Sequence, residues 1–462
     1  MKPIMIEFIN NSSEPLYIQL YKNIRDAILS GDIAKGEKLP SLRSLSKSLS
    51  VSMTTTQLAY DQLLVEGYII SKPQSGYYAA DVFSAGDDRD MQKIMAPLPE
   101  SVLADPDQPP YICDPDCFDF NKWKKCSSKI FNEHWGLLLY GSDPQGEGAL
   151  RHEIAKYVYT SRGVTCSPEQ IIIGAGTQQI TGQLCRILPK MDINHVSVES
   201  PGYLPVQNSF RDSGFSISHI SVGSDGIEIE RLPVNISTAV YVSPSNQFPT
   251  GAVMPVGRRR QFLRWASDND SIIIEDDYDS ELRYFGRPVP ALRSLDNEGR
   301  VVYLGSFSST LFPAIKISYM ILPPSMAEIF SRTKGDYAQT CSKAEQLTLA
   351  LFMEEGYYYT GIRKLRNLYS QKLSLTLEAF AKYGDERVVP VNTHSGINLI
   401  INFATEKTAD ELCDLAKSAG LHMVPFSRIT ESHAASLIFY YSKLPVKMID
   451  PLVGRFLALL KS

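Results

Sequence analysis

The sequence predicts two folds in one chain. A small α+β block of three helices and a β-hairpin comes first, then a large α/β region with a mainly parallel central sheet and a smaller C-terminal α/β part from about residue 370. Three observations predict this. Residues 12–80 hold three helical patterns followed by two short strand patterns. Residues 81–115 are rich in Asp and Pro with little periodicity, which reads as a linker. From 116 to 462, β-branched runs alternate with helical patterns, and such alternation gives parallel strands with helices on both faces.

Bulk properties narrow the class. A chain of 462 residues is too long for one compact core. Its 44% hydrophobic and 21% charged content is that of an ordinary globular protein. The net charge of −5 gives no global attraction to nucleic acid, so DNA contact needs a local patch. No apolar run approaches the roughly 20 residues that cross a bilayer, so no membrane partner is expected. The opening MKPIMIEFINNSSEP lacks a basic-then-apolar secretory pattern. Seven scattered cysteines fit free thiols in a reducing cytoplasm. Cys113, Cys117 and Cys126 cluster but lack a fourth ligand at useful spacing, so no metal is expected.

In the N-terminal block, Tyr17, Leu20, Tyr21, Ile24 and Ile28 recur at helical spacing, and Gly31 stops that helix. A second short helix follows Pro40, with Leu42, Leu45 and Leu49 facing inward. Ser52 is the N-cap of a third, from Met53 to about Glu66, ending at Gly67. Strands Tyr68–Lys72 and Gly76–Ala80 flank Pro73-Gln74-Ser75. With a tight turn between helices two and three, this is a winged helix-turn-helix. A helical docking module is the plainer alternative, and it requires no special surface on helix three. Instead Met53-Thr54-Thr55-Thr56-Gln57 sets mostly short polar side chains where a recognition helix meets bases and phosphates. Charge does not decide, since residues 1–80 hold eight Lys and Arg against seven Asp and Glu.

Pattern does decide. Pro-Leu-Tyr-x-Gln-Leu, Gly-x-Lys-Leu-Pro-Ser-Leu-Arg-x-Leu, Val-Ser-x-Thr-Thr and Ala-Tyr-x-x-Leu-x-x-Glu-Gly-Tyr run in order through residues 15–78. They closely resemble the GntR-type winged helix. The resemblance implies a double-stranded DNA operator, with Arg43 gripping phosphate or base. Ser52, Thr54 and Thr55 sit at the recognition turn, and Lys72, Ser75 and Gly76 in the wing. The family usually has Arg where this chain has Met53, so operator preference is expected to differ.

In the large region, Ile171–Ile173, His195–Glu199, Ala239–Ser243, Ser271–Glu275, Val301–Leu304 and Lys316–Leu322 read as strands. Gly396–Phe403 and Ser436–Tyr441 follow in the smaller part. Gly174-Ala-Gly-Thr-Gln-Gln179 follows a strand and opens a helix, exposing free N–H groups at a positive helix end that would seat a phosphate through Gly176, Thr177 and Gln178. Glycine-rich turns of this kind also arise for steric reasons alone. Asp276, after an Ile-rich strand, reads in isolation as a helix N-cap.

Residues 304–320 (LGSFSSTLFPAIKISYM) resemble the cofactor-lysine segment of fold-type I aminotransferases, with Ser309 at the lysine position. Tyr140-Gly-Ser-Asp-Pro-Gln-Gly with Leu150-Arg151, Glu199-Ser-Pro-Gly-Tyr203, Ser243-Pro-Ser-Asn-Gln-Phe-Pro-Thr-Gly251 and Glu275-Asp-Asp-Tyr-Asp279 match further segments in order. The resemblance implies a pyridoxal 5′-phosphate site. Tyr203 would stack on the ring, Asn246 or Gln247 would meet its phenolic oxygen, Asp276 its nitrogen and Tyr278 its oxygen. Ser306, Ser308 and Lys316 would complete the phosphate site, Lys316 standing for the usual arginine. Ile438 takes the place of a carboxylate-clamping arginine, and Asn398 that of a frequent histidine.

A GntR-type winged helix, an acidic linker and an aminotransferase-like domain together resemble the MocR subfamily of bacterial regulators. The resemblance implies a cytoplasmic, head-to-tail homodimeric DNA-binding regulator that senses a small-molecule effector. Ser309 has no amine and cannot form an imine, so no catalytic residue and no enzyme activity are expected, and any pyridoxal phosphate would be held non-covalently. Two other readings stay open: a pyridoxal-dependent enzyme with an appended DNA-binding domain, and a regulator whose large domain only dimerises.

Overall fold

The computed structural model describes residue 8 and residues 14–81, 114–284, 289–393, 396–426 and 435–461. Most of the segment read as a linker, Cys113 included, lies outside the described residues, as do residues 12 and 13. The chain divides into two compact units, Met1–Asp107 and Gln108–Ser462.

In the first unit, helices α1 (Leu16–Ser30), α2 (Leu42–Leu49) and α3 (Met53–Val65) precede the antiparallel hairpin β1 (Ile69–Lys72) and β2 (Gly76–Ala79). Gly31 ends α1 at φ 83°, a left-handed conformation that glycine adopts without a Cβ penalty. Leu20, Ile24, Leu45, Ala59, Tyr60, Leu63 and Ile69 form one buried core. The Tyr60 hydroxyl donates to the Pro40 carbonyl at 3.0 Å, tying α3 to the segment before α2. This is the winged helix-turn-helix expected from the sequence.

The second unit runs α4 (Phe120–Glu133), α5 (Gly148–Arg162), β3 (Ile171–Gly174), α6 (Thr177–Ile187), β4 (His195–Ser200), α7 (Leu204–Asp212), β5 (Ser216–Gly223), β6 (Gly226–Ile227), β7 (Ala239–Val242), α8 (Val256–Asp268), β8 (Ile272–Asp277), β9 (Val301–Ser306), β10 (Ser318–Ile321), α9 (Pro324–Ser331), α10 (Lys343–Glu354) and α11 (Tyr357–Tyr383). A smaller part adds β11 (Val388–Val391), β12 (Leu399–Phe403), α12 (Ala409–Ala419), β13 (Met423–Pro425), β14 (Ser436–Phe439) and α13 (Val446–Lys461). The large sheet has the order β3-β10-β9-β8-β7-β4-β5-β6, parallel from β9 through to β5, with β10 antiparallel to both neighbours. Every residue of β3, β7, β8 and β10 is buried, as a sheet covered on both faces requires.

Most strand ends shift by one or two residues from the sequence expectation, and two strands start later by two or three. Lys316 takes φ 45°, which breaks the extended run, so β10 begins at Ser318. Gly396 at φ 84° likewise delays β12 to Leu399. Strands β11 and β13 were not expected: each contains a proline, which a strand tolerates at a sheet edge, and both are edges of the order β11-β12-β14-β13. At the start of the unit, Lys372 and Asp114 form a buried ion pair at 2.7 Å that fastens the chain to α11.

The parallel strands deliver their C-terminal ends to one side of the sheet. Open α/β sheets bind ligands there, in the crevice past the strand ends.

Candidate functional site

A cavity of about 590 Å³ lies at those strand ends. One end is built by the β3–α6 turn. Gly176 caps α6 at φ 92°, and the first amides of the helix have no acceptor within it. Ala175, Gly176, Thr177 and Gln178 line this end. Ser306 closes β9 opposite, followed by Ser308 and Ser309, with Lys316 and Ser318 completing the wall. Ser318 Oγ donates to Ser306 Oγ at 3.1 Å, and the Ser308 amide to the same oxygen at 3.3 Å. Free amides, hydroxyls and one lysine suit a compact oxyanion.

Acidic strand ends supply the other chemistry. Along β8, alternation sends Glu275 and Asp277 to one face and Asp276 to the other. Glu275 accepts from the Leu292 and Arg293 amides at 2.7 and 2.8 Å. Asp277 is held by Arg162 Nε at 2.6 Å and the Tyr303 hydroxyl at 2.5 Å. Asp276 faces the cavity, takes a hydrogen bond from the Tyr241 hydroxyl, and is pushed up to about 7 by burial. Glu199, at the end of β4, is pushed up to about 8 by burial. Its Oε2 accepts from the Ser243 amide at 3.2 Å and from Gln247 Nε2 at 3.3 Å, while Oε1 has no hydrogen-bond partner among the described residues.

Aromatic rings form a third wall. Phe248 stands edge-on to Tyr203 and to Tyr278, each at 6.4 Å between centroids. The smaller part contributes Ile397, Asn398 and Tyr440. Asn398 is 3% exposed and its Nδ2 has no hydrogen-bond partner among the described residues. The Tyr440 ring stacks on His422 at 6.3 Å. Ile438 is off the wall, fully buried in β14 between Ile400 and Val424.

The cavity therefore gathers Gly176, Thr177, Gln178, Tyr203, Asp276, Tyr278, Ser306, Ser308, Ser309 and Lys316. It does not gather Asn246, whose Nδ2 donates to both Asp279 oxygens at 2.8 and 3.0 Å. Gln247 is also turned away, donating to the Pro201 and Phe248 carbonyls at 2.8 and 2.6 Å. The two amides tie the loop to its neighbours, Asn246 to Asp279 and Gln247 to Pro201. Sequence reasoning overlooked Ser243, Phe248, Ser318 and Tyr440 as wall residues. Ser243 and Phe248 belong to the loop already singled out, and Ser318 shares the period-two face of β10; nothing local marks Tyr440. Among the described residues, no group of three or more His, Cys, Asp and Glu could hold a metal.

The other unit presents a second surface. Ser52 Oγ accepts from the Thr55 amide at 3.0 Å, capping α3, with Thr54 exposed beside it. Gln57 Nε2 donates to Asp61 at 2.7 Å. Arg43 is exposed on α2. In the wing, Lys72 lies over the Tyr78 ring at 4.5 Å and Ser75 bonds the Tyr78 hydroxyl at 2.5 Å, with Gly76 at φ 108°.

Comparison with known proteins assigns a family to each of the two domains. Residues 16–78 match the family described as bacterial regulatory proteins, gntR family, and residues 114–437 match aminotransferase class I and II. The chain is 38% identical over 431 residues to the HTH-type transcriptional regulator YdeL of Bacillus subtilis, covering 92% of each. It is 31% identical to the probable rhizopine catabolism regulatory protein MocR of Rhizobium meliloti, covering 92% of this chain and 89% of that one. A kynurenine aminotransferase of Pyrococcus horikoshii, solved with PMP, shares the fold at TM-score 0.66 and 23% identity, over 82% of this chain and 95% of its own.

Proposed function

We propose, since this chain belongs to the MocR-type regulators that join a GntR-family domain to an aminotransferase class I and II domain, that its large unit is a non-catalytic receptor for a phosphorylated pyridine such as pyridoxal 5′-phosphate. The chain is a DNA-binding transcriptional regulator. Its operator surface comprises Arg43 on α2, the first turn of α3 with Thr54, Thr55 and Gln57, and the Lys72–Gly76 wing.

One observation carries the receptor reading. A single cavity sets an oxyanion seat of α6 amides, serine hydroxyls and Lys316 across from a buried carboxylate, Asp276, that burial keeps near neutrality. A phosphate would satisfy the first, and a protonated ring nitrogen would supply the cation the second lacks. Tyr203 and Tyr278 bound the space between as ring-sized walls. When bound, such a cofactor acts as an electron sink for chemistry at an attached amine. Ser309 offers a hydroxyl in place of the nitrogen that would join the two, so the ligand is held by hydrogen bonds and charge alone. The family resemblance adds a head-to-tail homodimer, whose paired winged helices the ligand reorients.

Calorimetric titration of the full-length protein with pyridoxal 5′-phosphate gives saturable binding, and borohydride treatment followed by mass measurement finds no lysine-linked adduct in the cavity. Ser309→Lys creates that adduct. A borohydride-fixed lysine in the unaltered chain overturns the non-covalent reading, and absence of heat with every pyridoxal vitamer overturns the receptor.

A further inference from the structure

The recognition helix α3 reads MTTTQLAYDQLLV, with no Arg, Lys or His, and its one charge is Asp61. Guanine is read in the major groove chiefly by a bidentate Arg or Lys on O6 and N7. No such group lies on α3, so the footprint of this helix lacks the usual guanine reader. What it carries instead has a definite complement.

Met53 is the first residue of α3, directly after the Ser52 cap, and is 45% exposed. It belongs to no core cluster of its unit, so burial does not explain an apolar side chain there. Ser46 Oγ on α2 lies 3.7 Å from its sulfur, which steadies the thioether between the two helices at the exposed face. The apolar feature of the major groove is the thymine C5-methyl group. Thr54 follows, exposed, with a methyl and a hydroxyl of its own. One turn on, Gln57 gives one amide hydrogen to Asp61 at 2.7 Å. An amide has two N–H donors and a carbonyl, so among the described residues one N–H and the Oε1 acceptor stay free. That is the donor–acceptor pair adenine requires at N7 and N6.

We propose that α3 reads A·T base pairs, with Met53 and Thr54 against thymine methyl groups and Gln57, positioned by Asp61, on adenine. This rests on the DNA-binding reading above and names its base preference. Positive charge comes from outside the helix, from Arg43 and Lys72, so any guanine of the half-site lies outside the α3 footprint.

The test is selection of duplexes from a random library by the full-length protein and, in parallel, by Met53→Arg. In the selected duplex each thymine is then replaced singly by uracil, which removes only the methyl group. The expected result is an A·T core in which uracil at one thymine weakens binding about fourfold, the worth of one buried methyl group. Met53→Ala weakens the natural duplex by a similar factor and abolishes the further effect of uracil at that thymine. Met53→Arg selects guanine at the same position. Met53 is exposed, so neither variant disturbs the core. Guanine at that position in the unaltered protein's duplexes, or an equal uracil effect with and without the Met53 side chain at every thymine, overturns the base preference alone. Failure to enrich any duplex overturns DNA recognition itself, and this inference with it.

Discussion

Asp276 is 6% exposed, and its hydrogen-bond donor is a tyrosine hydroxyl, not a cation. An aspartate in an unfolded chain loses its proton near pH 4, whereas burial holds this one to about 7 and Glu199 to about 8. Between those values the unfolded chain has released protons that the native state keeps, so rising pH favours unfolding. The stability these two groups contribute is complete below about pH 4 and is lost as pH climbs through about 7 and then about 8. The melting temperature of the ligand-free protein should fall between about pH 5 and 8, and Asp276→Asn should flatten that fall. An unchanged slope in the variant would falsify the assignment of Asp276 as the titrating group. On the operator surface proposed above, Lys72 in the wing is assigned to phosphate rather than to bases. Lys72→Ala should weaken binding evenly across sequences and lower the slope of log affinity against log salt by about 1, measured by titration at several salt concentrations. A loss confined to particular sequences would show instead that Lys72 reads bases.

At the scale of elements, much of the fold was legible because local rules and burial agree. Ser52 reads as an N-cap in sequence and caps α3 in the fold, accepting from Thr55. Ser52→Ala should cost about 1 kcal/mol in the melting of the DNA-binding unit, while Ser52→Asp retains the cap; equal melting of all three would remove the cap's role. The run Glu275-Asp276-Asp277 shows how far local rules reach. Strand alternation alone puts the middle residue opposite its neighbours, and the neighbours' partners bear this out. Boundaries were less legible where a single residue takes positive φ. Nothing in the β-branched pattern around Lys316 announces its left-handed backbone, and that kink starts β10 two residues beyond it.

For the molecule as a whole, a receptor acts on an operator only if its ligand prefers one geometry of the paired DNA-binding units. Pyridoxal 5′-phosphate should then change duplex affinity by a factor of roughly 5–150, and the duplex should change ligand affinity by the same factor. Fluorescence titrations run in both directions measure this. A factor of one in both would leave the large domain a dimerising scaffold.

Sequence by itself determined the two domains, the capped recognition helix without a positive charge, the glycine turn opening α6, and a serine at residue 309. These follow from composition, periodicity and motif order, which are local or nearly so. Tertiary structure decided which side chains share the cavity. Tyr440 and Asn398 reach it from the smaller part, and Asn246 and Gln247 turn from it because Asp279 and the Glu199 loop take their amides. Buried polar groups go where their hydrogen bonds are met, and two of those partners, Asp279 and Pro201, lie 33 and 46 residues away along the chain.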